Sequence, residues 1–321
     1  MKYYLGVTNN NWYQFLAQRE NAQGKIEDLN FWQPSGRTSF KVLAPGEPFL
    51  FKLKSPLNAI GGVAFFASHS ILPLEVAWDI FQERNGVASY ITFRNTIRSY
   101  RDHRNPFDQN PNVGCIVLTD PIFFEREDWI PTPSNWGKSI VQGKSYTTGD
   151  TIGTALWQQV EQRLQKYQLY ERAENYKNQL VVEEPQAPYG AKKYLTKVRL
   201  SQGAFRVRLT EAYQRRCAFS GEKTLPALEA AHIKPYAESG PHQIANGLLL
   251  RADLHKLFDT GYLTLTTDYK IEVSAKIKEE FDNGKDYYKL HGNGLYLLPQ
   301  NEADKPGTKY IEWHQEEVYR G

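Results

Sequence analysis

The feature that most constrains how this chain folds is a strand, loop, strand and helix pattern in its last third. An apolar strand pattern covers residues 228–233, a second apolar run covers residues 248–250, and helical periodicity covers residues 252–258. This order predicts a β-β-α arrangement. In such an arrangement the first strand and the helix can present polar side chains to the same small volume.

One polar residue stands in each part of this pattern: His232 on the strand, Asn246 in the loop before the second run, and His255 on the helix. Imidazole serves proteins both as a general base and as a metal ligand. The pattern therefore indicates a catalytic site with one histidine as base, one as ligand, and the asparagine as a brace for the loop. A lone histidine on an apolar strand is more often a hydrogen-bonded core residue, so the indication depends on all three together.

The sequence from about Arg206 to Trp313 resembles the HNH, or ββα-metal, endonucleases. The motifs that carry the resemblance are A-A-H-I-K-P, N-G-L-L-L and H-K-L-F-D-T-G, with two later frames at residues 290–292 and 298–299. The resemblance implies a domain that hydrolyses phosphodiester bonds with a divalent metal ion, either magnesium or manganese, with nickel or cobalt as alternatives.

The same resemblance implies a role for each motif residue. His232 would deprotonate the attacking water, Asn246 would hold the catalytic loop, and His255 would bind the metal beside the scissile phosphate. Such a site has one base and one metal centre, so it breaks one strand per event. A double-strand break implies two chains or two successive nicks, and we expect a homodimer on DNA.

Two carboxylates are candidates to complete the metal site with His255. Asp259 lies one helical turn further on, so both side chains can face one ion; it could instead cap the turn made with Gly261. Many family members have a metal-binding Asp or His just before the base, where this chain has Ala231. Glu229 lies two residues earlier on the same strand face and could supply that ligand, although a structural role is the commoner one.

The cysteine content excludes the structural zinc site of many HNH domains. The chain has only Cys115 and Cys217, so no four-thiolate site is possible, and Ser220 stands where a second zinc cysteine would be. We expect Cys115 to be buried as a small apolar residue and expect no disulfide framework. With no apolar N-terminal signal and no run of eighteen apolar residues, the sequence predicts a soluble cytoplasmic protein without a membrane partner.

Basic residues are concentrated immediately before the HNH motif. Eight Lys and Arg residues and one acidic residue lie between positions 191 and 216, whereas the whole chain carries a formal net charge of +3. Such a stripe suits contact with phosphates, although a solvated helix face has a similar composition. The candidate contacts with the DNA backbone are Arg206, Arg208, Arg215, Arg216 and Lys234.

The N-terminal region alternates short β-type runs with helical segments. The β-type runs are residues 3–8, 49–53, 61–67 and 114–119, and the helical segments are 74–83 and 89–100. This mixture predicts a small β-barrel with peripheral helices. A helix over 157–180 and a proline-bearing linker over 181–190 follow. We therefore divide the chain into domains at 1–165 and 191–321, joined by a helix and linker at 166–190.

Four N-terminal segments resemble the EVE domain, a member of the PUA-like group that includes readers of modified bases; they are residues 8–12, 31–35, 45–52 and 127–131. An EVE domain followed by an HNH domain is the organisation of modification-dependent restriction endonucleases. The resemblance implies an α+β chain, with a PUA-like (EVE) β-barrel joined to a C-terminal ββα-metal domain. It implies double-stranded DNA with modified bases as the partner, most readily modified cytosine such as 5-methylcytosine or 5-hydroxymethylcytosine.

A reader of a modified base must hold a flipped ring against aromatic walls and contact its edge with polar groups. Trp32, in a loop-like segment, is our first candidate for a wall, and Trp12 and Trp129 are further ones. Asn10 and Ser35 are candidates for contacts with the base edge. Tryptophans in a small barrel are more often core residues than walls of a binding pocket.

A second function, of another class, fits the same sequence. The chain could be a catalytically silent nucleic-acid-binding protein that retains the nuclease fold and reads modified RNA. The intact set of His232, Asn246 and His255 favours the nuclease.

Overall fold

A computed structural model describes residues 1–101, 108, 110–137, 139–178 and 201–321, and of residues 168–178 it describes only the backbone. The predicted linker at 181–190 and the basic residues at 192–199 lie outside this part of the chain. The chain divides into two compact units, Met1–Arg199 and Leu200–Gly321. None of the described helices is long and apolar enough to cross a membrane.

The N-terminal unit is built on one mixed sheet. Its strands are β1 (Lys2–Thr8), β2 (Asp28–Gln33), β3 (Pro48–Leu53), β4 (Ala59–Pro73), β5 (Asn112–Phe123), β6 (Ile130–Pro131) and β7 (Gly143–Thr147). Its helices are α1 (Asn10–Gln23), α2 (Leu74–Phe81), α3 (Tyr90–Ser99) and α4 (Thr151–Asn178).

The strand order is β2-β5-β4-β3-β1-β7, and β6 pairs with β4. The pair β1 and β3 is parallel, and the other pairs are antiparallel. Among the described residues no pairing joins β2 to β7, so the sheet is open. The unit is α+β, as the sequence predicts, but the expectation of a closed barrel is wrong.

Both faces of this sheet are covered, because its central strands carry apolar side chains at successive positions. All six residues of β3 are buried. Phe49 and Phe51 join a core that includes Trp12 of α1, whereas Leu50 joins a second core that includes Val160 of α4. Period-two alternation therefore directs neighbouring side chains of one strand into two separate cores.

Helix α4 crosses the predicted domain boundary between residues 165 and 166 without a break. Its first half packs on the N-terminal sheet through Leu156, Val160 and Leu164. The hydroxyl of Tyr167 donates a hydrogen bond of 3.1 Å to Asp128. The first half of this helix thus belongs to the N-terminal unit, and the three-part division stays a prediction.

The C-terminal unit contains small helices and two short hairpin sheets. Its helices are α5 (Gln202–Ala212), α6 (Ala252–Asp259), α7 (Lys276–Phe281), α8 (Lys285–Tyr288) and α9 (Thr308–Glu317). Its strands are β8 (Leu228–His232), β9 (Gly247–Arg251), β10 (Leu263–Leu265) and β11 (Ile271–Val273). Strands β8 and β9 pair antiparallel, as do β10 and β11. The sequence β8, β9, α6 is the predicted β-β-α order.

The end of α6 is fixed by a buried histidine from α9. His314 is 2% exposed, and its ring stacks on Phe258 with centroids 3.8 Å apart. Its Nε2–H donates to the Phe258 carbonyl at 3.1 Å, and its Nδ1 lies 2.9 Å from the Thr264 hydroxyl. Burial lowers the pKa of His314 to about 4, which keeps the ring neutral at neutral pH. This histidine therefore has a packing and hydrogen-bonding role.

Candidate functional site

His232 is the last residue of β8, and its ring is enclosed by an aromatic residue and a second histidine. The ring stacks on Phe205 of α5 with centroids 4.2 Å apart and an interplanar angle of 17°. Gly247 faces the same phenylalanine, because a Cβ there would lie 2.7 Å from the Phe205 ring. A glycine at the start of β9 therefore lets α5 approach closely enough to form a wall for His232.

The second histidine in contact with His232 is His242, from the loop between β8 and β9. Nε2 of His232 lies 2.9 Å from Nδ1 of His242. Burial lowers the pKa of His232 to about 4, with further lowering by His242 and His255 and an opposing effect from Asp259. His232 is therefore unprotonated at neutral pH. No periodicity or motif marks His242, since only the folded loop brings it to His232.

Asn246 ties together the two ends of the loop between β8 and β9. It is fully buried, its Oδ1 accepts from the Lys234 amide at 2.9 Å, and its Nδ2 donates to the carbonyls of Lys234 at 2.9 Å and Pro241 at 3.0 Å. One side chain thus satisfies three backbone groups on both sides of the loop. The ammonium of Lys234 lies 5.0 Å from the Trp313 ring centroid.

His255 lies on α6 between two half-exposed carboxylates. Its Nδ1 is 2.6 Å from Oε2 of Glu229, and its Nε2 is 3.2 Å from Oδ2 of Asp259. Burial of His255 opposes protonation, but the hydrogen bonds and charges of Asp259 and Glu229 outweigh it, so the pKa of His255 is raised. The structure brings all three proposed metal ligands together.

The chemistry of this cluster fits a divalent cation, because its donors are one imidazole and two carboxylates. Two carboxylates around one ring also favour any positive charge placed among them, as the raised pKa of His255 indicates. Among the described residues, however, no group of three or more His, Cys, Asp or Glu side chains is arranged to hold a metal ion. Both nitrogens of His255 bond to carboxylates, so an ion would replace one of these bonds and the other carboxylate would orient the ring.

The basic residues near the motif that the structure describes do not form one face. Arg206 and Arg208 both lie on α5, and residues two apart on a helix point about 200° away from each other. Arg215, just beyond the helix, forms an ion pair with Glu211 at 2.8 Å. Arg216 is half-buried next to it. The described residues Arg206, Arg208, Arg215 and Arg216 therefore do not share one helix face, and their contact with DNA stays a prediction.

The N-terminal unit contains a cavity of about 1120 Å³. Trp32 is in its wall, but on β2 and not in a loop, since its backbone pairs with Cys115 of β5. The indole N–H donates to the Asn85 carbonyl at 2.9 Å, and the ring centroid lies 5.8 Å from that of Tyr100. With its N–H already bonded, Trp32 can offer this cavity a flat apolar surface.

The other proposed pocket residues divide into two groups. Trp12 and Ser35 line the cavity together with Trp32. Asn10 instead holds a turn, because its Oδ1 accepts from the Lys54 amide at 2.9 Å. Trp129 packs against the core and donates to the Phe124 carbonyl at 3.0 Å. Neither Asn10 nor Trp129 is among the described residues that line the cavity.

Several features of the cavity were not predicted. Its described lining includes one carboxylate, Asp108, and four cationic side chains: Arg37, Lys54, Arg98 and Arg101. Two of its lining residues carry buried polar atoms with no hydrogen-bond partner in the described chain, namely Trp12 Nε1 and Gln33 Oε1. These residues come from separate segments, so no local pattern could have grouped them.

The comparison with known families supports the site in the C-terminal unit. The model of the HNH endonuclease family matches residues 217–266, which include His232, Asn246, His255 and Asp259. The C-terminal unit therefore contains an HNH endonuclease domain. None of the curated proteins matches this chain.

Two solved structures are similar to parts of the chain. One is a modification-dependent TagI restriction endonuclease, with 22% identity and a TM-score of 0.28 over 38% of this chain and 39% of that one. The other is ASCH from Zymomonas mobilis, with 12% identity and a TM-score of 0.30 over 48% of this chain and 93% of that one. The match thus spans about two fifths of the length of the first protein.

Proposed function

We propose that this protein is a metal-dependent endonuclease that cuts double-stranded DNA carrying modified bases. The observation that carries the proposal is the grouping of His232, Asn246 and His255 on a β-β-α frame, with two carboxylates around His255. A base, a loop brace and a cluster that favours cations are the parts that phosphodiester hydrolysis requires.

In the proposed reaction His232 takes the proton of the attacking water. Its low pKa keeps the ring unprotonated at neutral pH, and the carboxylate of Asp259 favours the protonated form once it appears. Asn246 holds the loop, and His255 with Asp259 or Glu229 holds the divalent ion. When bound, that ion supplies charge stabilisation at the scissile phosphate.

For the N-terminal unit we propose the role of reader, as an EVE-like member of the PUA-like group. The cavity of about 1120 Å³ is large enough for a flipped nucleotide, and Trp32 and Tyr100 supply aromatic surface at its wall. The unsatisfied Trp12 Nε1 and Gln33 Oε1 support a polar ligand, because buried polar groups normally have partners. The four lining cations suit the accompanying phosphates. Modified cytosine is the base class we propose.

The test is nicking of supercoiled plasmids that contain cytosine, 5-methylcytosine or 5-hydroxymethylcytosine, with Mg²⁺ or Mn²⁺. His232→Ala should lower the rate by about two to four powers of ten while DNA binding is retained. His255→Ala should not nick the plasmids because it has lost its affinity for the metal ion, which calorimetric titration measures. His291→Ala is the matched control, because His291 is an exposed histidine of the same unit whose Nδ1 accepts from the Val273 amide.

The outcomes separate the two halves of the proposal. Full cutting by His232→Ala would remove this residue from the mechanism. Equal binding of modified and plain duplexes would refute the reader. Binding of modified RNA without any cutting would favour the silent binding protein. Sedimentation with and without DNA tests the homodimer that we propose for the DNA-bound protein.

A further inference from the structure

The contact between His232 and His242 has a consequence for the nuclease reaction. We propose that His242 is a positioning residue: its Nδ1 accepts a hydrogen bond from Nε2–H of His232 and thereby leaves Nδ1 of His232 as the basic atom. The inference rests on the proposed function, in which His232 is the base. The carrying observation is the distance of 2.9 Å between His232 Nε2 and His242 Nδ1.

Two neutral imidazoles at this distance share one proton in the contact, which allows two arrangements. If His232 Nε2 carries the proton, its Nδ1 has a free lone pair that can accept a proton from water. If His242 Nδ1 carries it, His232 must be protonated at Nδ1 and cannot act as the base there. The direction of this one hydrogen bond therefore decides whether Nδ1 of His232 is basic.

The surroundings favour the first arrangement. His232 is half-buried against the apolar ring of Phe205, and Nδ1 of His232 has no hydrogen-bond partner among the described residues. A proton on Nε2 has an acceptor at 2.9 Å and leaves the lone pair of Nδ1 available to water, as the proposed role of His232 as base requires. When His232 takes up a second proton from water, the same Nε2–H bond continues to stabilise the cation.

His242 is itself held in place from several sides. Its ring stacks on Tyr236 with centroids 4.7 Å apart at 9°, and it lies 5.7 Å from the ring of Phe205. Asn246 Nδ2 donates at 3.0 Å to the carbonyl of Pro241, the residue immediately before His242. Asn246, which braces the loop, therefore also fixes the position of His242 and so acts on His232 through it.

The experiment compares two replacements of different chemistry in the full-length protein. His242→Asn places a carbonyl oxygen near the position of Nδ1 and keeps an acceptor, whereas His242→Leu fills similar space without one. Glu238→Gln, an exposed change in the same loop, is the matched control. The assay is metal-dependent nicking of plasmid DNA with 5-methylcytosine or 5-hydroxymethylcytosine, analysed for kcat and KM separately.

We expect His242→Leu to lower kcat about 10–100-fold at unchanged KM, the range found when the hydrogen-bond partner of a metal-ligating histidine is removed. His242→Asn should stay within a few-fold of wild type, and Glu238→Gln should match it. Equal loss in the Asn and Leu variants, or a change in KM alone, would overturn the positioning role.

A second measurement needs neither a variant nor cutting. The ¹⁵N spectrum of histidine-labelled wild-type protein reports the tautomer of each ring, and we expect His232 to be protonated at Nε2. Protonation at Nδ1 would overturn the inference whatever the activity. A protein with the expected tautomer that cuts no plasmid would refute the proposed function while leaving the hydrogen-bond direction established.

Discussion

Replacement of Asn246 should destabilise the loop that carries the candidate base. The side chain is fully buried and makes three hydrogen bonds of 2.9, 2.9 and 3.0 Å to backbone groups of Lys234 and Pro241. Each such bond contributes a net ~1 kcal/mol, so Asn246→Ala should cost about 3 kcal/mol. Asn246→Asp keeps the bond from the Lys234 amide but turns an oxygen toward two carbonyls, so it should cost at least as much.

Hydrogen exchange read by mass spectrometry is the suitable assay, because it follows β8 and β9 separately from the N-terminal unit. A loss of about 3 kcal/mol corresponds to roughly a hundredfold loss of amide protection in these strands. Asn293→Ala is the matched control, since Asn293 is exposed and, among the described residues, its side chain donates only to the Lys289 carbonyl. Wild-type protection in Asn246→Asp would refute the reasoning, because the two donor bonds would then contribute nothing.

Three further predictions concern acid stability, base preference and backbone contact. His314 has a folded pKa of about 4 against an ordinary 6.5, so its stabilising effect is complete above pH 6.5 and is lost as the pH falls toward 4, by on the order of 3 kcal/mol. In urea titrations at several pH values, His314→Gln should therefore lose less stability than the wild type over this range. Stability curves against pH that run parallel for the two proteins would contradict the assignment. Trp32→Ala should lower the preference for modified over plain DNA by ~1–3 kcal/mol in binding assays, whereas Trp129→Phe, in the core, should leave it unchanged. Arg206 and Arg208 lie on different sides of α5, so only one of the substitutions Arg206→Gln and Arg208→Gln should reduce the salt dependence of DNA binding, by about one phosphate contact. Equal effects of the two substitutions would require a bent DNA path or indirect action.

The parts of the fold that sequence could predict are those set by local periodicity. The strand ending at His232 and the helix carrying His255 were located within a residue, and the spacing of four to Asp259 put two side chains on one helical face. Trp32 was assigned to a loop because Pro34 and Ser35 lie in the same segment, yet β2 continues to Gln33 before that turn.

Contacts between distant segments could not be predicted in the same way. His242 reaches His232 only because the intervening loop folds back and is tied by Asn246, and no pattern in the loop encodes that path. The cavity likewise combines Trp32 of β2 with Tyr100, which follows α3, and these two residues lie far apart in the sequence. The sheet is open because β2 and β7 do not pair among the described residues, and apolar patterning does not specify which strands become neighbours.

The close approach of Phe205 to Gly247 sets a lower limit on the size of a transferable nuclease module. The family match begins at Cys217, but the wall against which His232 stacks comes from α5, which starts at Gln202. A module joined to a different N-terminal domain would therefore have to begin before α5. A shorter piece would retain every motif residue and still expose one side of the base to solvent.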